Sequence, residues 1–285
     1  DAPVAQDDVA SGVEDGPAVT GNVITDPVTG DSDIDGDTLS VTGFTIAGEA
    51  GPFVVGAPYT ITGVGTITIN TNGAFAFDPA PNFNTTSGGG GGVGAGTVPV
   101  ITYTLSDGSG AVNGTDTATL SLTVTNVNDA PVGVADTASG LEDGGPLNTD
   151  VTGNVLANDT DIDSAPVTFT VTGATADLDG NGTQDVLPLA TPTTITDNGG
   201  TVLGTLTLNG DGSFSFDPAA DYNGTDGAAL PVITYTLSDN DPVLPQTGTS
   251  TLAITIGAVN DAPDAVDDAA TGAEDNTITV NAATG

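Results

Sequence analysis

The 285-residue chain lacks several residue types altogether, containing no Lys, Arg, His, Cys, Met or Trp. Nucleic-acid binding needs cationic side chains to neutralise phosphate, and attraction to anionic membranes needs the same sign of charge. Catalytic sets that depend on His, Schiff bases on Lys and zinc sites on Cys are excluded as well. No run of about 18 apolar residues exists. We therefore expect no nucleic-acid partner and no insertion into a membrane.

Acidic residues are abundant instead: 38 Asp and Glu give a formal net charge of −38. High charge with few aromatics favours disorder, but 37% of the residues are hydrophobic and they occur in ordered patterns. Two kinds of chemistry remain open to such a chain, namely catalysis by paired carboxylates and binding of hard cations by oxygen ligands. No carboxylate pair has the character of a catalytic pair, so we expect a folded protein that is not an enzyme.

The sequence repeats with a period near 130 residues. The phrase VNDAP at 127–131 returns at 259–263, and the nine residues PVITYTLSD at 99–107 return unchanged at 231–239. These repeats predict two complete domains, 1–128 and 129–260, followed by the start of a third at 261–285. A chain that ends early in a repeat is expected to be part of a longer array.

The apolar residues within each repeat alternate with polar ones. Ile101, Tyr103 and Leu105 show this period of two, which is typical of strands with one buried face. Gly and Pro number 41 and 18, which suits many turns and disfavours helices. Two hairpins are predicted around the turns at 71–73 and 210–212. The fold class is therefore all-β, with tandem Ig-like antiparallel β-sandwich domains.

The sharpest local signal is the loop DLDGNGTQD at 177–185. Its side-chain oxygens are spaced so that they can face inwards around one ion, and the central Gly permits the sharp bend that calcium loops need. It resembles the DxDxDGxxD calcium loops of integrin α-subunit propellers and related bacterial modules. We predict Ca²⁺ as the cofactor, although a solvated acidic loop is the alternative. The predicted ligands are Asp177, Asp179, Asn181 and Asp185 by side chain and Thr183 by its carbonyl group.

Two further acidic loops occupy corresponding places in the repeats, at 31–37 and 158–163. Carboxylates packed this closely repel one another unless a cation joins them. We predict a cation site at each loop, and a charged surface turn is the alternative. The candidate ligands are Asp31, Asp33, Asp35 and Asp37 in the first loop and Asp159, Asp161 and Asp163 in the second.

A family resemblance rests on the order of these motifs. The stretch from Tyr103 to Gly108, followed by Asn128 to Pro131, resembles the last strands and linker of a cadherin repeat. The wider pattern, an acidic Glu-Asp, an acidic loop, a hairpin and then YTLSD, is closer to the bacterial cadherin-like repeats (VCBS/tandem-95 type) of giant surface adhesins. The resemblance covers essentially the whole chain and implies cadherin-like β-sandwich domains.

The resemblance also implies calcium ligands at the junctions between repeats. They map onto Glu14, Glu142, Asp107, Asp239, Asn128, Asp129, Asn260, Asp261, Asp161 and Asp163. The linkers depart from the cadherin pattern at Thr125, Gly257 and Ala258, which puts the number of ions per junction in doubt. The alternative is that the N-D-A-P segment only ends one strand and begins the next.

These features predict the extender segment of a large secreted surface adhesin or biofilm protein. Its partners would be the adjacent repeats of the same long chain, with calcium stiffening the junctions between them. The alternative is a subunit of an extracellular matrix filament, in which like chains assemble through the same domains. The isolated segment would be an extended monomer in the first case and would form regular fibres in the second.

Overall fold

The structure is a computed structural model that describes residues 1–83, 85, 96–111, 113–142, 150–163, 168–220, 222–223, 229–259 and 274. Every regular element in this part of the chain is a β-strand, as the fold class predicted. No helix in the described ranges has the length and hydropathy needed to cross a bilayer. The predicted start of a third repeat, at 261–285, lies outside the described residues apart from Glu274.

Eight strands fall in the first repeat. They are β1 (Asp8–Val13), β2 (Val19–Asn22), β3 (Ser40–Ile46), β4 (Tyr59–Ile61), β5 (Gly65–Ile69), β6 (Ala74–Pro79), β7 (Ile101–Ser106) and β8 (Thr115–Thr125). They form two four-stranded sheets, ordered β1-β8-β7-β3 and β2-β6-β5-β4.

Nine strands fall in the second repeat. They are β9 (Asp136–Leu141), β10 (Val151–Asn154), β11 (Thr170–Ala176), β12 (Asp185–Val186), β13 (Thr193–Thr196), β14 (Val202–Leu208), β15 (Ser213–Pro218), β16 (Ile233–Ser238) and β17 (Thr247–Gly257). Their sheets have the orders β12-β11-β16-β17-β9 and β10-β15-β14-β13.

The alternating pattern places apolar side chains inside. Ile101, Tyr103 and Leu105 on β7 are each 0% exposed, while the intervening Thr side chains are only partly buried. Phe77 and Ile67, which face each other across the β5–β6 hairpin, are also fully buried. Burying each large apolar side chain contributes about 1.5–3 kcal/mol, so this alternation holds the sheets of the first repeat on one core.

Both predicted hairpins are confirmed. β5 pairs with β6, and β14 pairs with β15, each antiparallel and in the register that the sequence pattern requires. The turn glycines Gly73 and Gly212 have φ values of 82° and 81°, which explains why glycine stands there.

One pairing differs from the antiparallel expectation. β1 runs parallel to β8, and β9 runs parallel to β17. Parallel neighbours need a long crossover connection, and here nearly a whole repeat separates the two strands in sequence. The first strand of each repeat therefore lies beside its last strand, which brings the two ends of the repeat together.

The described chain forms two compact units. The first comprises Asp1–Val134, Leu156–Thr172 and Tyr235–Ser250, and the second comprises Ala135–Val155, Gly173–Thr234 and the described part of Thr251–Gly285. These units do not follow the sequence repeats, whose boundaries at 128 and 260 stay a prediction.

Candidate cation site at the repeat junction

Buried carboxyl groups mark the places where the sequence motifs meet. Among the described residues, the buried acidic side chains are Asp8, Glu14, Asp107, Glu142, Asp159, Asp163 and Asp239. An ionised carboxylate taken out of water is costly unless a cation or several hydrogen-bond donors compensate it. The chain has no Lys, Arg or His to do so. All of these acids except Asp8 belong to the predicted ligand set.

The Asn-Asp linker and the acidic loop of the second repeat come together within the first compact unit. The Asp129 amide donates a short hydrogen bond to Asp163 Oδ2. The Asn128 side-chain amide donates to Asp239 Oδ2 at 2.6 Å. Asp163 and Asp239 are only 2% and 4% exposed. The structure thus collects five of the predicted junction ligands, including Asp161, whose Oδ1 accepts from the Asp163 amide at 2.8 Å.

Acidic groups from the first repeat face the same linker. Burial raises the pKa of the Asp129 carboxyl, and the negative charges of Asp163, Asp15, Glu14 and Asp161 raise it further. Such crowding of like charges disfavours ionisation in the absence of a cation. Residues from both sides of the predicted repeat boundary therefore form one anionic cluster, which we call the junction cluster.

Asn82 completes the junction cluster and was not predicted. Its side chain lies between two carboxylates and, with the amide nitrogen turned towards them, donates to Asp15 Oδ2 at 3.3 Å and to Asp129 Oδ2 at 2.9 Å. A groove of about 420 Å³ opens beside it, lined in part by Asp161 and Ile162. The signal for Asn82 was available, because it aligns with Asp221 after the matching hairpin strands. Asp15 was equally visible in the recurring Glu-Asp pair.

The same arrangement occurs at the start of the first repeat. The Asp1 amino group donates to Asp35 Oδ2, as the Asp129 amide does to Asp163. The Asp35 amide in turn donates to Asp33 Oδ1 at 2.8 Å. Carboxylate oxygens of Asp33, Asp35 and Asp37 lie within 4.8 Å of one another, the spacing that a shared metal ion requires. The hydrogen bond to Asp35 and the charge of that carboxylate raise the pKa of the Asp1 amino group, and the charges of Asp33 and Asp107 add to the effect. Asp107 is itself buried.

Several buried oxygens at these two places have no hydrogen-bond partner within the part of the chain that the structure describes. They include Asp33 Oδ2, Asp107 Oδ2 and Asn128 Oδ1. Buried polar atoms in native proteins nearly always have partners, so an orphan oxygen calls for a cation or an ordered water. These three atoms belong to predicted ligands, and they lie where the sequence motifs converge.

The 177–185 loop forms a separate acidic cluster in the second compact unit. Oxygens of Asp177, Asp179 and Asp185 lie within 4.8 Å of one another. The Gly182 amide donates to Asp177 Oδ2 at 2.8 Å, which closes the loop at the predicted bend. The Asn181 side chain, which was predicted to be a ligand, instead makes hydrogen bonds within the loop. Its Oδ1 accepts from the Thr183 amide at 2.7 Å, and its Nδ2 donates to Asp179.

Two predicted ligands face the protein interior instead. Asp31 lies 3.3 Å from the hydroxyl of Tyr103 and accepts from the Gln6 amide at 2.7 Å. In the second repeat, Asp159 lies 3.3 Å from the hydroxyl of Tyr235. In the 31–37 loop, the acids whose oxygens lie within 4.8 Å of one another are Asp33, Asp35 and Asp37, and Asp31 is not among them.

The two glutamates tie the ends of each repeat together. Glu14 Oε1 accepts from the Val127 amide at 2.7 Å, and Glu142 Oε1 accepts from the Val259 amide at 2.6 Å. Each glutamate comes directly after the first strand of its repeat, and its carboxylate binds a backbone amide in the segment that follows the last strand. The linker ligands Asn260 and Asp261 lie outside the described residues.

Comparison with known proteins agrees with this architecture. The family profile of the bacterial cadherin-like domain matches residues 1–126 and 128–257. Among curated protein sequences, none matches the chain.

Solved structures to which the chain is similar include cadherin ectodomains. Drosophila N-cadherin EC1-4 is 15% identical with a TM-score of 0.48, and the match covers 90% of this chain and 49% of that one. Human protocadherin-24 EC1-2 is 17% identical with a TM-score of 0.45, and the match covers 92% and 99%. The chain thus spans about half of the N-cadherin fragment.

The family profile, in contrast, covers both repeats nearly from end to end. It agrees with the motif order in the sequence and with the all-β strand content. The chain belongs to the family of bacterial cadherin-like domains.

Proposed function

We propose that the chain is an extender segment of a large secreted surface adhesin, in which calcium ions at the repeat junctions stiffen consecutive cadherin-like domains. The observation that carries this proposal is the junction cluster, where acidic groups from both sides of the repeat boundary converge on the linker at Asn128 and Asp129. Proteins of this family are typically adhesion-related extracellular repeats and typically have no enzymatic activity, which supports the same role.

The donor set fits calcium. Ca²⁺ prefers six to eight oxygen ligands from carboxylates, carbonyls and amide groups, and tolerates flexible geometry. The junction cluster offers carboxylates together with the orphan Asn128 Oδ1, and it contains no nitrogen or sulfur ligand that would favour zinc or copper. We propose Asp15, Asn128, Asp129, Asp161, Asp163 and Asp239 as the residues that hold the ion, with Glu14 at their edge and Asn82 hydrogen-bonded to Asp15 and Asp129.

A bound cation would act on the junction in two ways. It would relieve the repulsion that raises the pKa of Asp129. It would also tie the linker to the Asp161–Asp163 loop more firmly than the single Asp129 amide bond does, so that bending there would require breaking coordination. Neutralisation and stiffening therefore follow from the same contacts.

Two further calcium sites belong to the proposal. One comprises Asp33, Asp35, Asp37 and Asp107, the first-repeat counterpart of the junction cluster, where two orphan oxygens lie. The other is the 177–185 loop, with Asp177, Asp179 and Asp185 as ligands. Asp31 and Asp159 are left out of the proposed ligands, because their carboxylates are bonded to backbone amides and face the buried tyrosines.

Calorimetric titration with calcium tests the proposal. Wild-type protein should give a saturable binding isotherm with dissociation constants of about 10⁻⁴–10⁻³ M or tighter, the range of extracellular calcium modules. Asp163→Asn should weaken one class of sites at least about tenfold, because it removes a buried anionic oxygen from the junction cluster. The matched control is Asp211→Asn, which removes one charge from the exposed turn of the β14–β15 hairpin and should bind calcium as wild type does.

Two results would contradict the proposal. One is the absence of saturable calcium binding by the wild-type chain up to about 10 mM. The other is an Asp163→Asn isotherm that superimposes on that of wild type. Should Asp163→Asn fold poorly, Asp33→Asn serves at the first-repeat site, where the residue is only partly buried.

A further inference from the structure

Asp8 is the one buried carboxyl group among the described residues that belongs to no predicted ligand motif. It is the first residue of β1 and is 2% exposed. β1 is an edge strand, and its only strand neighbour in the sheet is β8, which places Leu120 opposite Asp8. The contacts that Asp8 makes therefore influence how firmly β1 lies on the sheet.

The Tyr103 hydroxyl lies close to more acceptor oxygens than it can donate to. The Tyr103 hydroxyl lies 2.9 Å from Asp8 Oδ2, 2.8 Å from the Gln6 carbonyl oxygen and 3.3 Å from the Val23 carbonyl oxygen. Both carboxylate oxygens of Asp31 lie within 3.4 Å of it as well. One hydroxyl has one proton to donate. The site therefore holds more acceptor oxygens than protons.

No positive charge offsets this excess. Asp31 and Asp26 in the loop after β2 add negative charge, Tyr103 on β7 is neutral, and Leu120 on β8 is apolar. Asp7, the neighbour in sequence, hydrogen-bonds to Thr119. Burial raises the pKa of Asp8 to about 6, with Asp31 and Asp26 adding to the shift and the Tyr103 hydrogen bond opposing it.

We propose that Asp8 takes up a proton in mildly acidic solution, and that this proton locks β1 onto the sheet of the first repeat. The geometry already accommodates it. The Thr29 hydroxyl lies 3.4 Å from Asp8 Oδ1, so a protonated Asp8 can donate to Thr29 while its other oxygen still accepts from Tyr103. Protonation of Asp8 removes one of the two negative charges beside the Tyr103 hydroxyl, where the Asp31 carboxylate also lies.

The direction of the pH effect follows from the raised pKa. Between the ordinary value of an aspartate and about 6, the folded state holds the Asp8 proton more tightly than the unfolded state does. The stabilisation is therefore complete below the ordinary value and is lost as pH rises through about 6. From pH 8 to pH 5, this group alone should lower the unfolding equilibrium constant of the first repeat about tenfold.

Denaturant unfolding of the full chain at pH 8, 7, 6 and 5 tests the proposal. Asp8→Asn imitates the protonated side chain, so its unfolding equilibrium constant at pH 8 should be smaller than that of wild type. The ratio of the wild-type constant to the variant constant should fall about tenfold from pH 8 to pH 5. The matched control is Asp7→Asn. It removes the same charge from an exposed carboxylate whose pKa is lowered by the Thr119 amide and hydroxyl, so it should give no advantage at pH 8.

A direct titration of wild-type protein accompanies the variants. The carboxyl carbon of Asp8, followed by ¹³C NMR, should titrate near pH 6, both in excess calcium and in chelator, because Asp8 is not one of the proposed calcium ligands. A midpoint near 4 would overturn the proposal even if the chain binds calcium. So would an Asp8→Asn protein that is no more stable than wild type at pH 8. Failure of calcium binding would leave the expected Asp8 midpoint unchanged.

Discussion

At the scale of single residues, glycine positions explain how closely the strands approach. A Cβ atom on Gly65 would lie 2.4 Å from the backbone oxygen of Asp78 and 2.9 Å from the ring of Phe77. The backbone of Gly65 also has a φ of 152°, a value that residues with a side chain rarely adopt. Gly43 in β3 is different, because a Cβ there would meet nothing within 4 Å.

Gly65→Ala should therefore lower the free energy of unfolding of the first repeat by about 2–4 kcal/mol, through a steric clash with backbone and a strained φ. Gly43→Ala should change it by no more than about 1 kcal/mol and can be slightly stabilising, because alanine restricts the unfolded chain. Urea denaturation monitored by circular dichroism measures both. Equal effects of the two substitutions would show that the close approach at Gly65 has no energetic weight.

The residues that could be predicted from sequence are those in repeated phrases. Recurrence in motif order predicts Glu14, Asp107, Asp129 and Asp163 as ligands, and the structure buries or clusters them. Asp8 was missed, because nothing local in the sequence marks it as buried; its environment is created by Tyr103, which is 95 positions away. Asp31 belongs to an acidic loop by sequence, yet the same tyrosine draws it inwards.

At the scale of elements, the parallel pairing of the first and last strands organises each repeat. Alternation in the sequence predicts strands and hairpins, because both depend on neighbours a few residues apart. It could not predict that β1 lies parallel to β8, since that pairing joins residues more than 100 positions apart. Glu14 secures this pairing at its end by accepting the Val127 amide and donating its own amide to the Thr125 carbonyl.

Glu14→Ala should release the linker that follows β8. Because it leaves the Val127 amide without its carboxylate acceptor, it should cost about 1–3 kcal/mol of stability. Glu14→Gln keeps an acceptor oxygen in place and should cost less. Hydrogen exchange of the Val127 amide reports the effect directly, with protection lost in the alanine variant and largely kept in the glutamine variant. Unchanged protection in Glu14→Ala would mean that another group orders the linker.

At the scale of the whole molecule, charge is the central problem. A chain with 38 acidic and no basic side chains repels itself, and repulsion of this kind destabilises compact states. The structure concentrates part of that charge in the junction cluster, its first-repeat counterpart and the 177–185 loop. Under the proposed function, calcium bound at these places offsets the repulsion. Because the sites are absent from the unfolded chain, calcium binding also stabilises the folded chain.

The most direct test is the melting temperature of the chain in about 10 mM calcium, in chelator and in about 10 mM magnesium. With dissociation constants of about 10⁻⁴–10⁻³ M, calcium should add roughly 1–3 kcal/mol per site, enough to raise the melting temperature by at least about 5 °C over chelator. Magnesium should raise it much less, because it demands rigid octahedral geometry and gives up its water reluctantly. Identical melting curves in calcium and in chelator would contradict the account.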